Sequence, residues 1–150
     1  MPQSLAKVYF HLVFSTKNRE PLIPDSLRDR LHEYMAGILR DLGAPALEIH
    51  VEPDHAHVLF LMSRTVTLSD TVKQLKRGSS IWLKEIDTPI RDFHWQAGYG
   101  AFSVSQTKVE IVRRYIRNQR EHHSTESFQD EFRRWLREYG IEFDERYVWD

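Results

Sequence analysis

Along this chain the spacing of hydrophobic positions switches between a two-residue and a three-to-four-residue period, which predicts strands interleaved with helices. In Leu5–Ser15, β-branched and aromatic residues are frequent, and Val8, Phe10, Leu12 and Phe14 alternate onto one side as in a central strand. Beyond Pro21 and Pro24, Leu27, Leu31, Tyr34, Ile38 and Leu42 recur at helical spacing until Gly43 and Pro45 stop them. Two short runs, Ala46–Glu52 and Ala56–Met62, flank the turn pair Pro53-Asp54 and predict a hairpin. Helical spacing returns over Thr67–Ile86 through Leu68, Val72, Leu75 and Leu83, although Gly78-Ser79-Ser80 weakens its middle. Tyr99–Val104 reads as a short strand. Lys108–His122 follows as a helix with Ile111, Val112, Tyr115 and Ile116 turned inward, and Glu126–Tyr139 as a last helix.

The order β-α-β-β-α-β followed by helices predicts an α+β fold. It is that of a ferredoxin-like or RRM-like sandwich: a four-stranded antiparallel sheet with helices on one face, plus C-terminal helices. The first strand is long and apolar enough to pair across an interface as well. No repeat, linker or low-complexity stretch interrupts the 150 residues, so residues 1–150 are read as one domain.

Composition narrows the chemistry. No apolar run approaches the roughly 18 residues that cross a bilayer, and the N-terminus lacks a basic region followed by a hydrophobic one, so a cytoplasmic protein is expected. The chain has no Cys, which excludes disulfides, thiolate metal sites and thiol nucleophiles. A net charge of −1 conceals an uneven distribution: residues 64–120 carry 11 Lys/Arg against 5 Asp/Glu, whereas both flanking sections are acidic. A basic middle suits either a localised polyanion contact or a solvated face.

Two constellations could carry catalysis. In Pro53-Asp54-His55-Ala56-His57-Val58 the strand period puts His55 and His57 on one face, where two imidazoles can share a divalent ion or simply hydrogen-bond at a sheet surface. In Val112–Gln119, Tyr115 and Gln119 lie four residues apart and share a helix face. Tyr115 is either a boundary aromatic or a nucleophile, and as a nucleophile it needs an electrophile activated by a metal or by nearby cations such as Arg114 and Arg117.

These motifs, with Trp95–Ser105, the opening His11–Arg19 and the ending Phe143–Trp149, resemble the single-tyrosine HUH transposases of bacterial insertion sequences, the IS200-like TnpA type of the 200/605 family. The similarity runs from about Leu5 to Trp149. It implies a metal-dependent endonuclease and strand transferase that acts on single-stranded DNA with subterminal hairpins. On that resemblance, His55, His57 and Gln119 hold Mg²⁺ or Mn²⁺, and Glu52 supports the metal from beyond its direct ligands. Tyr115 attacks the scissile phosphate, giving a 5′-phosphotyrosine link and a free 3′-OH. The resemblance also implies a homodimer with active sites shared between subunits. Ala56 departs from the branched residue common between the two histidines, but it points to the apolar face.

For DNA contact, Lys73, Lys76, Arg77 and Lys84 fall largely on one face of the second long helix, and Lys17 and Arg19 occupy the loop after the first strand; Arg114 and Arg117 flank Tyr115. Four alternatives remain, one of them a replication-type HUH nickase. A domesticated HUH nuclease would process dispersed palindromic repeats, a non-catalytic RRM-like module would bind single strands without cutting, and a hydrolase would use the His pair to activate water. The binding module gives His55, His57 and Gln119 no shared task.

Overall fold

A computed structural model describes residues 2–86 and 90–150. Its elements are β1 (Tyr9–Ser15), α1 (Arg28–Asp41), β2 (Ala46–Glu52), β3 (His55–Leu61), α2 (Leu68–Glu85), β4 (Gly100–Val104), α3 (Val109–Arg117), α4 (Gln119–His122) and α5 (Phe128–Glu138). The strands form one antiparallel sheet in the order β2-β3-β1-β4, the ferredoxin-like arrangement. β1 is therefore internal, hydrogen-bonded to β3 on one side and β4 on the other. It has no free edge for a second chain; the edges of the sheet are β2 and β4.

One face of the sheet carries the main apolar core. Leu12 and Phe14 of β1 with Ala56, Val58 and Phe60 of β3 pack against Leu31, Met35 and Leu39 of α1 and against Val72, Leu75 and Leu83 of α2. Helix α2 begins at a Thr67 cap, whose side chain accepts from the Asp70 amide, and runs unbroken through Gly78-Ser79-Ser80. The small residues there serve packing. A Cβ on Gly78 would come within 2.6 Å of Ile38 Cδ1, so the missing side chain lets α1 and α2 approach. Ser79 satisfies its hydroxyl on the Leu75 carbonyl and accepts from the Trp95 indole.

The C-terminal helices cover the opposite face. Val109, Val112 and Ile116 of α3 pack on Tyr9, Leu59 and Val104, while Phe128, Phe132 and Leu136 of α5 pack on Val13 and Phe102. Gly100 gives Phe132 room, since a Cβ there would collide with its ring. Three features differ from the sequence reading. β1 starts at Tyr9 rather than Leu5. Ile111 is exposed rather than inward, because the narrow apolar stripe of α3 is filled by Val112 and Ile116. The helix expected through His122 breaks at Asn118, which leaves helical geometry at φ −97°, ψ 23°. No helix among the described residues is long and apolar enough to cross a membrane.

Candidate active site

Strand alternation sorts the side chains of β3. Ala56, Val58 and Phe60 enter the α1/α2 core, so His55, His57 and Leu59 must face α3–α5. The same rule turns His11 of β1 and His50 and Glu52 of β2 to that face, with His50 paired to His57 and Glu52 to His55 in the register. The polar face thus gathers histidines and a carboxylate from three neighbouring strands before any helix covers it.

The helices then close over His55 and His57. His55 is buried; its Nδ1 is held by Asp54 Oδ1 at 2.7 Å, and its Nε2 has no hydrogen-bond partner among the described residues. His57, also buried, bonds His11 Nε2 through Nδ1 at 2.8 Å and Glu131 Oε1 through Nε2 at 3.0 Å. His123, just beyond α4, reaches the same Glu131 oxygen at 3.2 Å. One ligand atom from each of His55, His57, His123 and Glu131 lies within 4.8 Å of the others. An unpartnered buried imidazole nitrogen, two more imidazoles and a carboxylate fit a divalent transition metal; a buried Nε2 without a donor otherwise costs free energy. Asp54 and His11 fix the rings from behind, as partners of metal-bound histidines do.

The electrostatics follow from this burial. Burial first, against the pull of Glu131, lowers His57 to about 4 and keeps it neutral, as a metal ligand must be. Burial, then the neighbouring His57, lowers His11 well below the usual range. For Glu131 burial acts upward, but His57, His123 and Tyr115 outweigh it and hold the carboxylate ionised far below its ordinary range.

Tyr115 projects from α3 into this cluster, its ring centroid 6.2 Å from that of His57. Its hydroxyl donates to Glu131 Oε2, accepts from Arg134 Nη2 at 2.9 Å and lies 3.3 Å from His122 Nε2. Burial and the adjacent Glu131 carboxylate push the phenol above its ordinary value. A groove of about 650 Å³ lined by Ile111, Arg114, Asn118 and His122 opens onto the tyrosine. All of these groups belong to a single chain, so the sharing between subunits implied by the resemblance is not needed to bring Tyr115 to the His pair.

Gln119 occupies the same cluster. It is fully buried, donates to Glu131 Oε2 at 3.1 Å, and its Oε1 has no hydrogen-bond partner among the described residues. The break at Asn118 makes Gln119 the first residue of α4, so it meets Tyr115 through a loose 3.5 Å contact to the Tyr115 carbonyl rather than along one continuous helix face. Glu52 is buried beside His55 in the register, where His50 at 2.7 Å and Arg120 at 3.2 Å engage it.

Around the cluster, Thr16 donates its amide to the Asp54 carbonyl, which sets the exposed Lys17 and the half-buried Arg19 next to the His55 corner. Asn18 and Arg19 both adopt positive φ there. Lys73 and Arg77 are exposed along a cleft between α2 and residues 95–99, and Lys84 lies on the same helix. Lys76 differs from the solvent-facing side chain expected of a phosphate contact. Its ammonium donates to the Gln96 and Gly98 carbonyls at 2.9 and 2.5 Å, and burial lowers it to about 8, so it fixes the loop instead. Arg117 pairs with Glu48, and Arg114 lines the groove beside Tyr115.

Sequence reasoning missed Glu131, His123, His11 and Arg134. The signal for Glu131 was present: it interrupts the inward stripe of Phe128, Phe132 and Leu136, where a carboxylate needs partners to be buried. His11 falls in the same two-residue alternation as Tyr9 and Val13, opposite the Leu12 side.

A family model described as "Transposase IS200 like" matches residues 4–119. ISDra2 transposase TnpA of Deinococcus radiodurans is 24% identical over 115 residues, covering 73% of this chain and 82% of that protein. A crystal structure assigned as a transposase from Deinococcus radiodurans superposes with a TM-score of 0.58 at 26% identity, over 79% of this chain and 98% of that one. The structure of a REP-associated tyrosine transposase bound to a REP hairpin superposes with a TM-score of 0.61 at 13% identity, over 82% of this chain and 73% of that one, and so bears on the fold alone.

Proposed function

The chain belongs to the IS200-like transposase family, and from that membership and the geometry of the buried cluster we propose that it cleaves and rejoins single-stranded DNA through Tyr115. The observation that carries this reading is the phenol of Tyr115 inside a nest of three imidazoles, a carboxylate and the Gln119 amide, where two buried acceptor atoms, His55 Nε2 and Gln119 Oε1, lack partners among the described residues. A core aromatic needs none of that apparatus.

His55, His57, His123 and Glu131 would hold the metal, with the Gln119 amide oxygen as a further ligand. A divalent cation there supplies Lewis-acid polarisation of a phosphoryl oxygen. The donor set, richer in imidazole than a typical Mg²⁺ site, favours Mn²⁺ over Mg²⁺. Asp54 and His11 orient the ligating rings. Tyr115 Oη forms a bond to phosphorus as the P–O3′ bond breaks, and the departing oxygen leaves as a free 3′-OH after taking up a proton from solvent. The phosphodiester energy is kept in the 5′-phosphotyrosine for rejoining.

The DNA would run along the groove beside Tyr115, with Arg114 on its wall, and across the basic surface of Lys17, Arg19, Lys73 and Arg77. Lys84 and Arg117 stand at its margin. Hairpin recognition, named for the REP-associated relative, is proposed for this chain on the shared fold and that surface. A homodimer remains part of the proposal, each subunit cutting with its own tyrosine.

The test is incubation of the protein with labelled single-stranded DNA carrying the flanks of its own gene, in Mn²⁺ or EDTA. We expect a denaturant-resistant adduct that requires Mn²⁺ and vanishes in Tyr115→Phe. Tight binding without an adduct would favour the non-catalytic reading. Mixing His57→Ala with Tyr115→Phe protein is expected to restore nothing; recovery would show that tyrosines are exchanged between subunits.

A further inference from the structure

Arg134 is not accounted for by metal binding. It lies on α5 one turn after Glu131, and the two side chains converge from that helix on the Tyr115 hydroxyl. Its guanidinium is not a loose surface cation. Nε and Nη2 both bond the Glu126 carboxylate, at 3.2 and 3.0 Å, and the group lies over the rings of Tyr115 and Trp135 at 5.8 and 5.6 Å. Glu126 is braced in turn by His122 at 2.7 Å. The result is a planar, permanently charged fork held by a second carboxylate, with Nη2 2.9 Å from the atom that would attack phosphorus. The metal ligands His55 and His57 lie on the sheet below the phenol, whereas Arg134 approaches from the helix that covers it.

Resting on the transposase reading above, we propose that Arg134 is a catalytic residue that neutralises a non-bridging oxygen of the scissile phosphate during attack by Tyr115. Once Oη is bonded to phosphorus, the non-bridging oxygens lie one bond beyond it, within reach of the guanidinium that contacted the hydroxyl. The bond formed is Oη–P and the bond broken is P–O3′; the phenol proton is lost to solvent and the 3′-oxygen regains one from solvent, so no net proton or electron is required. Arg134 takes up and releases no proton. Its contribution is fixed positive charge where negative charge grows, the electrostatic arrangement that dominates phosphoryl transfer. The Glu126 clamp keeps that charge in place before substrate arrives, which removes the need to reorganise it during attack.

The test compares two DNA strands that differ at one linkage. With an ordinary phosphodiester at the cleavage site, Arg134→Ala should slow single-turnover adduct formation by about 10²–10³-fold, the range for removing one oxyanion donor, with hairpin binding unchanged. Arg134→Lys, which keeps the charge without the fork, should recover part of that loss and guards against an unfolded alanine variant. With a neutral methylphosphonate at the same linkage there is no such charge to neutralise, and wild type and Arg134→Ala should react within a few-fold of each other. An equal loss on both strands, or adduct formation by Arg134→Ala at the wild-type rate on the phosphodiester, would overturn the assignment while leaving the tyrosine mechanism standing. Failure of wild-type protein to form any adduct would overturn both.

Discussion

The two faces of the sheet are built by the same strands and solve opposite problems. Toward α1 and α2, β1 and β3 present Leu12, Phe14, Ala56, Val58 and Phe60, and the interface is held by apolar burial. Toward α3–α5 those strands present His11, His55 and His57, and burial there is tolerated only because Glu131, Asp54 and the His11–His57 bond satisfy the imidazoles or leave a nitrogen to a metal. A residue step of one along a strand separates the two environments. The difference shows where stability and chemistry reside: the first face can tolerate almost no loss of volume, the second almost no loss of a specific polar atom.

The sharpest way to break that comparison is to damage one face and read the other. Phe60 is fully buried against α1 and α2, and Phe60→Ala should cost about 3–5 kcal/mol of stability by chemical denaturation. Mn²⁺ affinity of the fraction that remains folded should stay unchanged. A parallel loss of metal binding would mean that the faces are not separable.

Next in size is the converse. Glu131→Gln preserves shape but removes the carboxylate from the cluster, and calorimetric Mn²⁺ binding should weaken by roughly 100-fold. Unchanged affinity would remove Glu131 from the ligand set and return its place to Gln119.

The smallest effect concerns acid. Against burial, which acts upward, hydrogen bonds from His50 and Arg120 hold the Glu52 carboxyl at about 2. Being depressed in the fold, it stabilises above the ordinary value of 4.5, and that contribution is lost as pH falls from 4.5 toward 2. Neutral His57 acts in the same direction over a higher window: the unfolded chain takes up a proton below 6.5, the folded one only near 4. Thermal stability should therefore fall progressively from pH 6.5 downward. Glu52→Gln should cost about 1–3 kcal/mol at pH 7 and much less near pH 2, measured by melting across that range. A pH-independent difference would show that Glu52 acts through packing rather than charge.

How much of this was legible in the sequence divides along the same line. The apolar face could be read almost completely, because period and burial are the same information there: the four strands, both long helices and their order all follow from it. Helix α2 resisted at Gly78 because propensity is local, whereas the close approach to Ile38 that favours glycine is tertiary. On the polar face, His55, His57 and Tyr115 were visible as motifs, and the structure brings them together with Gln119. Glu131, His123 and Arg134 were not visible, since their meaning depends on how α4 and α5 fold back over the sheet after the break at Asn118. Lys76 shows the reverse error: a cation on a basic helix face reads as a surface charge until the carbonyls of residues 96 and 98 are seen around it.

The most direct measurement is to digest the covalent adduct with trypsin and locate the nucleotide by mass spectrometry. Cleavage after Arg114 and Arg117 isolates Tyr115 on the three-residue peptide Tyr115-Ile116-Arg117. The account predicts a 5′-linked nucleotide on that peptide and a free 3′-OH on the released strand. Nucleotide on another tyrosine, a 3′-linked product, or cut DNA with no linkage to protein would contradict it.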